Sequence, residues 1–278
     1  MTIDIAALQP WIGRAMEAED LVTPRLLAEY RATLAPHLAP VADGEAPLAF
    51  HWCLAPAIAP MHSLGPDGHP ARGEFLPPVP LPRRMWAGGR IETRGPLRVG
   101  DRVIRRSVIA DIKVKEGRTG TLCFVSVDHD YLTERGSALS ERHDIVYRDV
   151  GSAAPPSDEI PEPREADLTW EVAATPTLLF RYSAMTFNGH RIHYDLPYVT
   201  GTEGYEGLIV HGPMQASLLF NLAATLGGKV PEEFRYRGVS PLFADQVFAV
   251  RGIRRPDGGI GCWTENAAGR ICMEAESR

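Results

Sequence analysis

Phe187-Asn188-Gly189-His190-Arg191-Ile192-His193-Tyr194-Asp195 places two histidines three residues apart, with an amide before them and a carboxylate after. A short loop leads to Ile209-Val210-His211-Gly212-Pro213-Met214, where His211 stands before a Gly-Pro pair and an apolar run. Imidazoles exchange protons near neutrality. Pro213 suits the start of a helix, because its missing N–H costs nothing there. Gly212 can present its backbone N–H to a ligand with no Cβ in the way, and the helix dipole adds partial positive charge at the same point. Titratable groups pressed against an apolar helix mark this stretch as the candidate active site.

The rest of the chain has to position that stretch. Its 278 residues allow one large domain or two of ordinary size. A net charge of −6 argues against binding nucleic acid or another polyanion. No apolar run is long enough for a membrane span. Asp4, Glu17, Glu19 and Asp20 near the start fit neither a signal nor a transit peptide, so a cytoplasmic location is expected. Cys53, Cys123, Cys262 and Cys272 form no Cys-x-x-Cys pair and read as buried, reduced thiols.

Residues 10–35 read as helical, with Thr23-Pro24 as a helix start and Leu26, Leu27, Tyr30 and Leu34 at helical spacing. A second short helix is expected at Leu48–Leu54, with His51 and Trp52 in packing roles. Residues 60–82 form a Pro-, Gly- and His-rich loop, long enough to suggest a covering role; the spacing of His62 and His69 matches no metal site. Arg83-Arg84-Met85-Trp86 reads either as an exposed basic turn or as a pocket wall that meets an anion. Asp101–Lys115, Thr121–Leu132 and Ser137–Arg148 form a β-meander. Residues 152–167, rich in Pro and acid, read as a linker.

The order then repeats. Trp170–Ala173 is a strand and Thr177–Ser183 a helix. Gly212–Leu226 is a helix that is apolar nearly all round, as a buried one must be. Strands follow around 235–238, 246–254, 259–263 and 270–274. A sheet wrapped round a central apolar helix is a hotdog. The expected fold is therefore an α+β double hotdog, with two antiparallel sheets, each round a central helix: an N-terminal unit at 1–151 and a C-terminal unit at 168–278.

The run FNGHRIHYD at Phe187–Asp195, followed by Val210-His211-Gly212-Pro213, resembles the signature of the MaoC-like hydratases and dehydratases of acyl thioesters. The hydroxyacyl-thioester dehydratase branch is the most similar, and Arg84-Met85-Trp86-Ala87-Gly88 also resembles it. The wider family has an Asp five residues before its His. Here His193 matches the His and Asn188 stands in the place of the Asp, as in that branch. An amide does not accept a proton at neutral pH.

The resemblance implies a hydro-lyase that adds water to C3 of an α,β-unsaturated acyl-CoA and a proton to C2. His193 would be the general base and acid. Asn188 would hold the water, and the Gly212 N–H would meet the thioester oxygen. Asp195 is expected to orient an imidazole if the stretch is extended, and His190 to support the site. Arg191, Arg84, Trp86, His211 and Asp195 are expected around the substrate, with Arg83 a further cation. The first half has no Asn/His pair in this order, so it is expected to bind rather than catalyse. A short dicarboxylic acyl group, mesaconyl-C4-CoA above all, would explain the arginines, although CoA phosphates need cations too. No metal is expected, since His190 and His193 have no third ligand near in sequence, and no other cofactor. A homodimer is expected. The alternatives are a dehydratase of 3-hydroxy fatty acyl chains on CoA or a carrier protein, and a non-catalytic acyl-thioester binder. A hotdog thioesterase is disfavoured, because Gly212–Leu226 carries no Asp or Glu.

Overall fold

The computed structural model describes residues 3–117, 120–149 and 162–278. Helix α1 spans Ile5–Leu8, strand β1 Ala15–Leu21 and helix α2 Pro24–Leu34. The strands β2 (Arg83–Thr93), β3 (Arg102–Gly117), β4 (Gly120–Thr133) and β5 (Gly136–Arg148) complete the first half. The second half runs β6 (Leu168–Ala173), α3 (Pro176–Met185), α4 (Leu196–Gly201), α5 (Gly212–Gly227), β7 (Glu233–Gly238), β8 (Val247–Arg254), β9 (Ile260–Glu265) and β10 (Ile271–Ser277).

Five strands from each half meet edge to edge. The order is β1-β3-β4-β5-β2-β7-β10-β9-β8-β6, and β2 pairs antiparallel with β7 from Gly88↔Arg237 to Glu92↔Glu233. The α+β double-hotdog class stands, but the expected two sheets are one continuous sheet, because the β2 and β7 edges satisfy each other's backbone groups. The expectation of a central helix in each half also needs correction. In the second half α5 packs against β7, β8, β9 and β10. Its apolar circumference buries Met214, Ala216, Leu218, Leu219, Phe220 and Leu222. In the first half the expected helix at Leu48–Leu54 is only the 3₁₀ turn Phe50–Cys53, cut short by Ala49 at φ +66°. Part of the inner face beside it is covered by Ile3, Leu8, Val79 and Leu81, which pack with Ile109, Ile112, Val125 and Val127 of β3 and β4.

Thr23 caps α2, its hydroxyl accepting from Leu26 N–H at 3.1 Å. Residues 12–22 are not helical, as had been expected within 10–35. Ala15–Leu21 is an edge strand paired with β3, with side chains alternating between exposed and half-buried. Most of the expected linker, 152–161, lies outside the described residues. No helix among the described residues is long and apolar enough to cross a membrane.

Candidate active site

His193 ends a 3₁₀ turn, Arg191–His193, rather than lying in an extended stretch. The turn is tied to the segment before α5, where Ile209 N–H donates to Ile192 O at 3.0 Å. The same segment fixes the imidazole: Nδ1 donates to Ile209 O at 2.7 Å, which leaves Nε2 as the acceptor. Burial pushes the His193 pKa down to about 4, although the Ile209 carbonyl pulls the other way. At neutral pH the ring is therefore an uncharged base. His211 stacks on it with ring centres 3.6 Å apart, and His211 Nε2 is bonded to Ser183 Oγ at 2.8 Å. Since His211 caps α5, this stack sets His193 beside the helix start.

Asn188 follows Phe187, which sits in the left-handed region at φ +51°. The Asn188 side chain closes the turn, its Oδ1 accepting from His190 N–H at 3.0 Å. Gly212 is the first residue of α5 and Pro213 the second. A Cβ at Gly212 would stand 2.7 Å from Trp86 Cε3, so the glycine is what lets the indole reach the helix start. Trp86 comes from β2, just before a bulge in its pairing with β5. It stacks on Tyr236 at 4.6 Å and meets Trp52 edge-on at 5.6 Å. The wall opposite Gly212 thus belongs to the first half.

One expectation fails here. Asp195 does not orient an imidazole. It accepts from Tyr198 N–H at 3.1 Å as the cap of α4 and pairs with Arg191 at 2.8 Å. Arg191 is correspondingly engaged: besides Asp195, it donates to Pro66 O at 3.0 Å and lies 4.0 Å from the Tyr198 ring centre. Arg83 is held by Glu203, through both its carboxylate and its backbone carbonyl. Arg84 is mostly buried, and its ion pair with Asp67 is long, at 3.6 Å. Of the three arginines, Arg84 keeps most capacity for an anion.

Sequence reasoning gave the 60–82 loop a covering role but no chemistry. Its tip in fact brings Asp67 and His69 to His190. His69 Nδ1 lies 3.1 Å from Asp67 Oδ2, and the His69 and His190 rings are 4.1 Å apart. One ligand atom each from Asp67, His69 and His190 falls within 4.8 Å of the others. Two polar groups within reach of His190 are therefore supplied by a distant loop. No spacing rule signals that meeting.

A second buried polar group was also missed. Glu141 on β5 accepts from Trp52 Nε1 at 2.9 Å and Tyr131 Oη at 3.2 Å, and His51 Nε2 lies 3.2 Å away. His143 Nε2 is 3.1 Å from the same carboxylate but out of hydrogen-bonding line. Burial would raise the Glu141 pKa, yet His143 and His51 hold it well below the usual range. His129, Glu141 and His143 also bring donor atoms within 4.8 Å of one another. Strand alternation was the available signal. Leu139, Glu141, His143, Ile145 and Tyr147 share a face, so an inward Glu needs partners.

The amides of α5 serve the fold. Gln215 Oε1 accepts from Thr264 Oγ1 at 2.7 Å, and Asn221 bridges Ala39 N–H and Leu48 O at 3.0 and 3.1 Å.

The site thus holds a buried histidine with one free nitrogen at the start of the central helix, in a double-hotdog protein. The chain belongs to the family described as hydroxyacyl-thioester dehydratase type 2, which matches residues 49–244. It is 44% identical over 251 residues to mesaconyl-C4-CoA hydratase of Chloroflexus aurantiacus, covering 89% of each chain. In fold it is similar to a MaoC-like dehydratase, with TM-score 0.70, 13% identity, and 97% and 98% of the two chains covered. A Mycobacterium tuberculosis protein described as having a double hotdog fold matches at TM-score 0.57 and 12% identity, with 96% and 95% covered.

Proposed function

We propose that this protein is a hydro-lyase that reversibly adds water to an α,β-unsaturated acyl-CoA, with mesaconyl-C4-CoA as its substrate and citramalyl-CoA as the product. The observation that carries the chemistry is His193: neutral, buried, and with its one free nitrogen beside the start of α5. In the hydration direction His193 Nε2 takes a proton from water as the water oxygen bonds to C3, and the imidazolium so formed gives a proton to C2. The C2=C3 electron pair moves towards C2 and the thioester oxygen. The Gly212 N–H at the helix start stabilises that oxygen, and the Asn188 amide holds the water. Microscopic reversibility gives dehydration through the same transition state.

A short acyl group suits the first half. Its inner face carries Trp52, Trp86, His143 and Glu141, the last three on β2 and β5. A long fatty acyl chain would have to displace these aromatic rings and a hydrogen-bonded carboxylate. Arg84 is the cation assigned to the distal carboxylate of the substrate. On this reading the 168–278 half is catalytic and the 1–151 half binds. The reading extends to a homodimer in the cytoplasm, where the four buried free cysteines stay reduced.

The test is to incubate the purified protein with mesaconyl-C4-CoA, crotonyl-CoA and a long-chain enoyl-CoA, and to separate the CoA esters by chromatography. Hydrated product, fastest from mesaconyl-C4-CoA, is expected. Free CoA in place of hydrated product would make the protein a thioesterase. Binding without turnover would make it an acyl-thioester binder. Preference for the long chain would move it to fatty acyl dehydration.

A further inference from the structure

Where the 60–82 loop meets β2 and β5, positive charge is in excess. Arg84 on β2 stands directly across from Tyr147 on β5, so the two side chains share one face of the sheet. Arg72, from the loop, has its guanidinium 5.2 Å from the centre of the Tyr147 ring. Asp67 at the loop tip lies 3.6 Å from Arg84. Among the described residues, two guanidiniums thus share this corner with one carboxylate. Charge taken out of water without a partner is costly, so the corner favours one further anion.

The two arginines are not equivalent. Arg72 is committed to the loop itself, donating to Val79 O at 2.9 Å and also to Leu81 O and Pro82 O. It contributes charge but holds the loop. Arg84 has only its long contact with Asp67 and keeps N–H donors to give. Beside it, the Tyr147 ring is fully buried in the cluster that includes Val79, Leu81 and Cys123, yet its Oη has no hydrogen-bond partner. Burial raises its pKa, although Arg84 and Arg72 pull the other way, so the hydroxyl stays protonated and can donate. An unsatisfied buried hydroxyl is a cost that phenylalanine would avoid in the same space. A free hydroxyl next to a guanidinium with spare donors suits a single carboxylate.

The corner is within reach of the reacting atoms. Arg84 and Trp86 are two residues apart on β2, ahead of the bulge, and face the same way, one step of about 6.5–7 Å. Trp86 touches the start of α5. Arg84 also acts on the charge of His190, which meets His193 edge-on at 5.5 Å. We propose that Tyr147 is a specificity-determining residue, its Oη donating a hydrogen bond to the distal carboxylate of the substrate alongside Arg84. The proposal rests on the dicarboxylic acyl-CoA reading. In mesaconyl-C4-CoA that carboxylate is attached to C3, the carbon that receives the water, so a clamp on it also fixes C3 against His193.

The test compares mesaconyl-C4-CoA with crotonyl-CoA in wild type, Tyr147→Phe, Arg84→Ala and the double variant. The two substrates share the CoA and differ in the carboxylate, so the ratio of their kcat/KM values separates a substrate carboxylate from a CoA phosphate. Tyr147→Phe lowers kcat/KM for mesaconyl-C4-CoA relative to crotonyl-CoA by about 10-fold or more, the worth of a hydrogen bond to a charged group. In the double variant the loss falls short of the product of the two single losses, because both groups hold one carboxylate. The urea midpoint of Tyr147→Phe is not lowered, since the hydroxyl it removes was unpaired; a structural role would lower it. An unchanged substrate ratio in Tyr147→Phe overturns the proposal. So does an equal loss on both substrates, which would assign the hydroxyl to the CoA phosphates or to the fold. A wild type that prefers crotonyl-CoA refutes the dicarboxylic reading and the clamp with it. A wild type that prefers mesaconyl-C4-CoA, with that preference intact in Tyr147→Phe, refutes the clamp alone.

Discussion

Gly212→Ala isolates the contact that joins the two halves at the site. The new Cβ would lie 2.7 Å from Trp86 Cε3 and 3.3 Å from Cζ3. Carbon atoms settle at about 3.5–4.0 Å, so roughly 1 Å of movement is needed. Trp86 has little room to retreat, with Tyr236 stacked at 4.6 Å on one side and Trp52 and His143 at 5.6 and 5.5 Å around it. Part of the shift therefore falls on the start of α5. Overpacking of this kind costs about 1–3 kcal/mol, and alanine in a helix returns up to about 1 kcal/mol relative to glycine. The net loss of stability is about 0–3 kcal/mol, small enough for a folded variant. Catalysis is hit harder, because about 1 Å of misplacement at a catalytic group lowers the rate by about 10²-fold. The assay is kcat for hydration beside the urea midpoint. Trp86→Phe, combined with Gly212→Ala, should recover part of the lost kcat by clearing the clash. Wild-type kcat in Gly212→Ala, or no recovery in the double variant, would refute the placement of the thioester oxygen at this helix start.

His193→Ala should lower kcat by at least about 10²-fold, and wild-type turnover in a folded His193→Ala would remove it from the mechanism. Its pKa near 4 also sets a stability signature. Above about pH 6.5 the ring is neutral in both folded and unfolded chain; as pH falls from there towards 4 the unfolded chain takes a proton that the folded site refuses. Stability therefore drops over that window by about 3 kcal/mol, since each pH unit separating the folded and unfolded titrations is worth about 1.36 kcal/mol. Urea midpoints from pH 7 to 4 should fall less steeply for His193→Ala, and equal slopes would contradict the burial argument. Arg84→Ala should cut kcat/KM for mesaconyl-C4-CoA by about 10- to 150-fold relative to crotonyl-CoA, the worth of a charge-assisted bond. Arg191→Ala should leave that ratio alone and lower stability instead; the reverse pattern would return the clamp to Arg191. Glu141→Ala strands Trp52 Nε1, Tyr131 Oη and His51 and should cost about 3–5 kcal/mol, read by urea denaturation, with Glu141→Gln milder. A loss under about 1 kcal/mol would mean that those donors find other partners.

The parts legible in the sequence are those where one local rule dominates. Helix α5 is apolar on every side, and only a buried helix tolerates that. The strands β3, β4 and β5 alternate cleanly, and the Asn188–His193 spacing stands out beside Gly212-Pro213. Edge strand β1 was lost because half-burial leaves no strong alternation, and charged Glu17, Glu19 and Asp20 on an edge look like a solvated helix face. The meeting of Asp67 and His69 with His190 spans over a hundred residues and depends on two glycine backbones touching, which no periodicity records. Asp195 misled for a local reason. Near an imidazole in sequence, it was turned away by the 3₁₀ turn at Arg191–His193 towards the α4 cap and Arg191.

The shortened helix of the first half is what allows the site its shape. Against β8, β9 and β10 the helix α5 fills the inner face of the sheet and leaves only its start for chemistry. In the first half the turn Phe50–Cys53 takes that place, with His51 and Trp52 reaching Glu141 on β5. Trp86 on β2 is thereby free to extend across the β2–β7 junction to Gly212, and the 60–82 loop is free to fold down onto Gly189. A full helix in the first half would bury more apolar area but offer its own closed surface to the junction. Replacing it with a turn, a buried carboxylate and aromatic rings exchanges some hydrophobic burial for a polar, shape-specific wall. That exchange is tolerable because Glu141 is fully engaged by its neighbours, and a satisfied buried network specifies one geometry where an apolar filling would permit several. The asymmetry between the halves then has one physical origin. The second half supplies a rigid helix end and a fixed imidazole, and the first half, with a turn where a central helix was expected, supplies a shaped polar and aromatic wall.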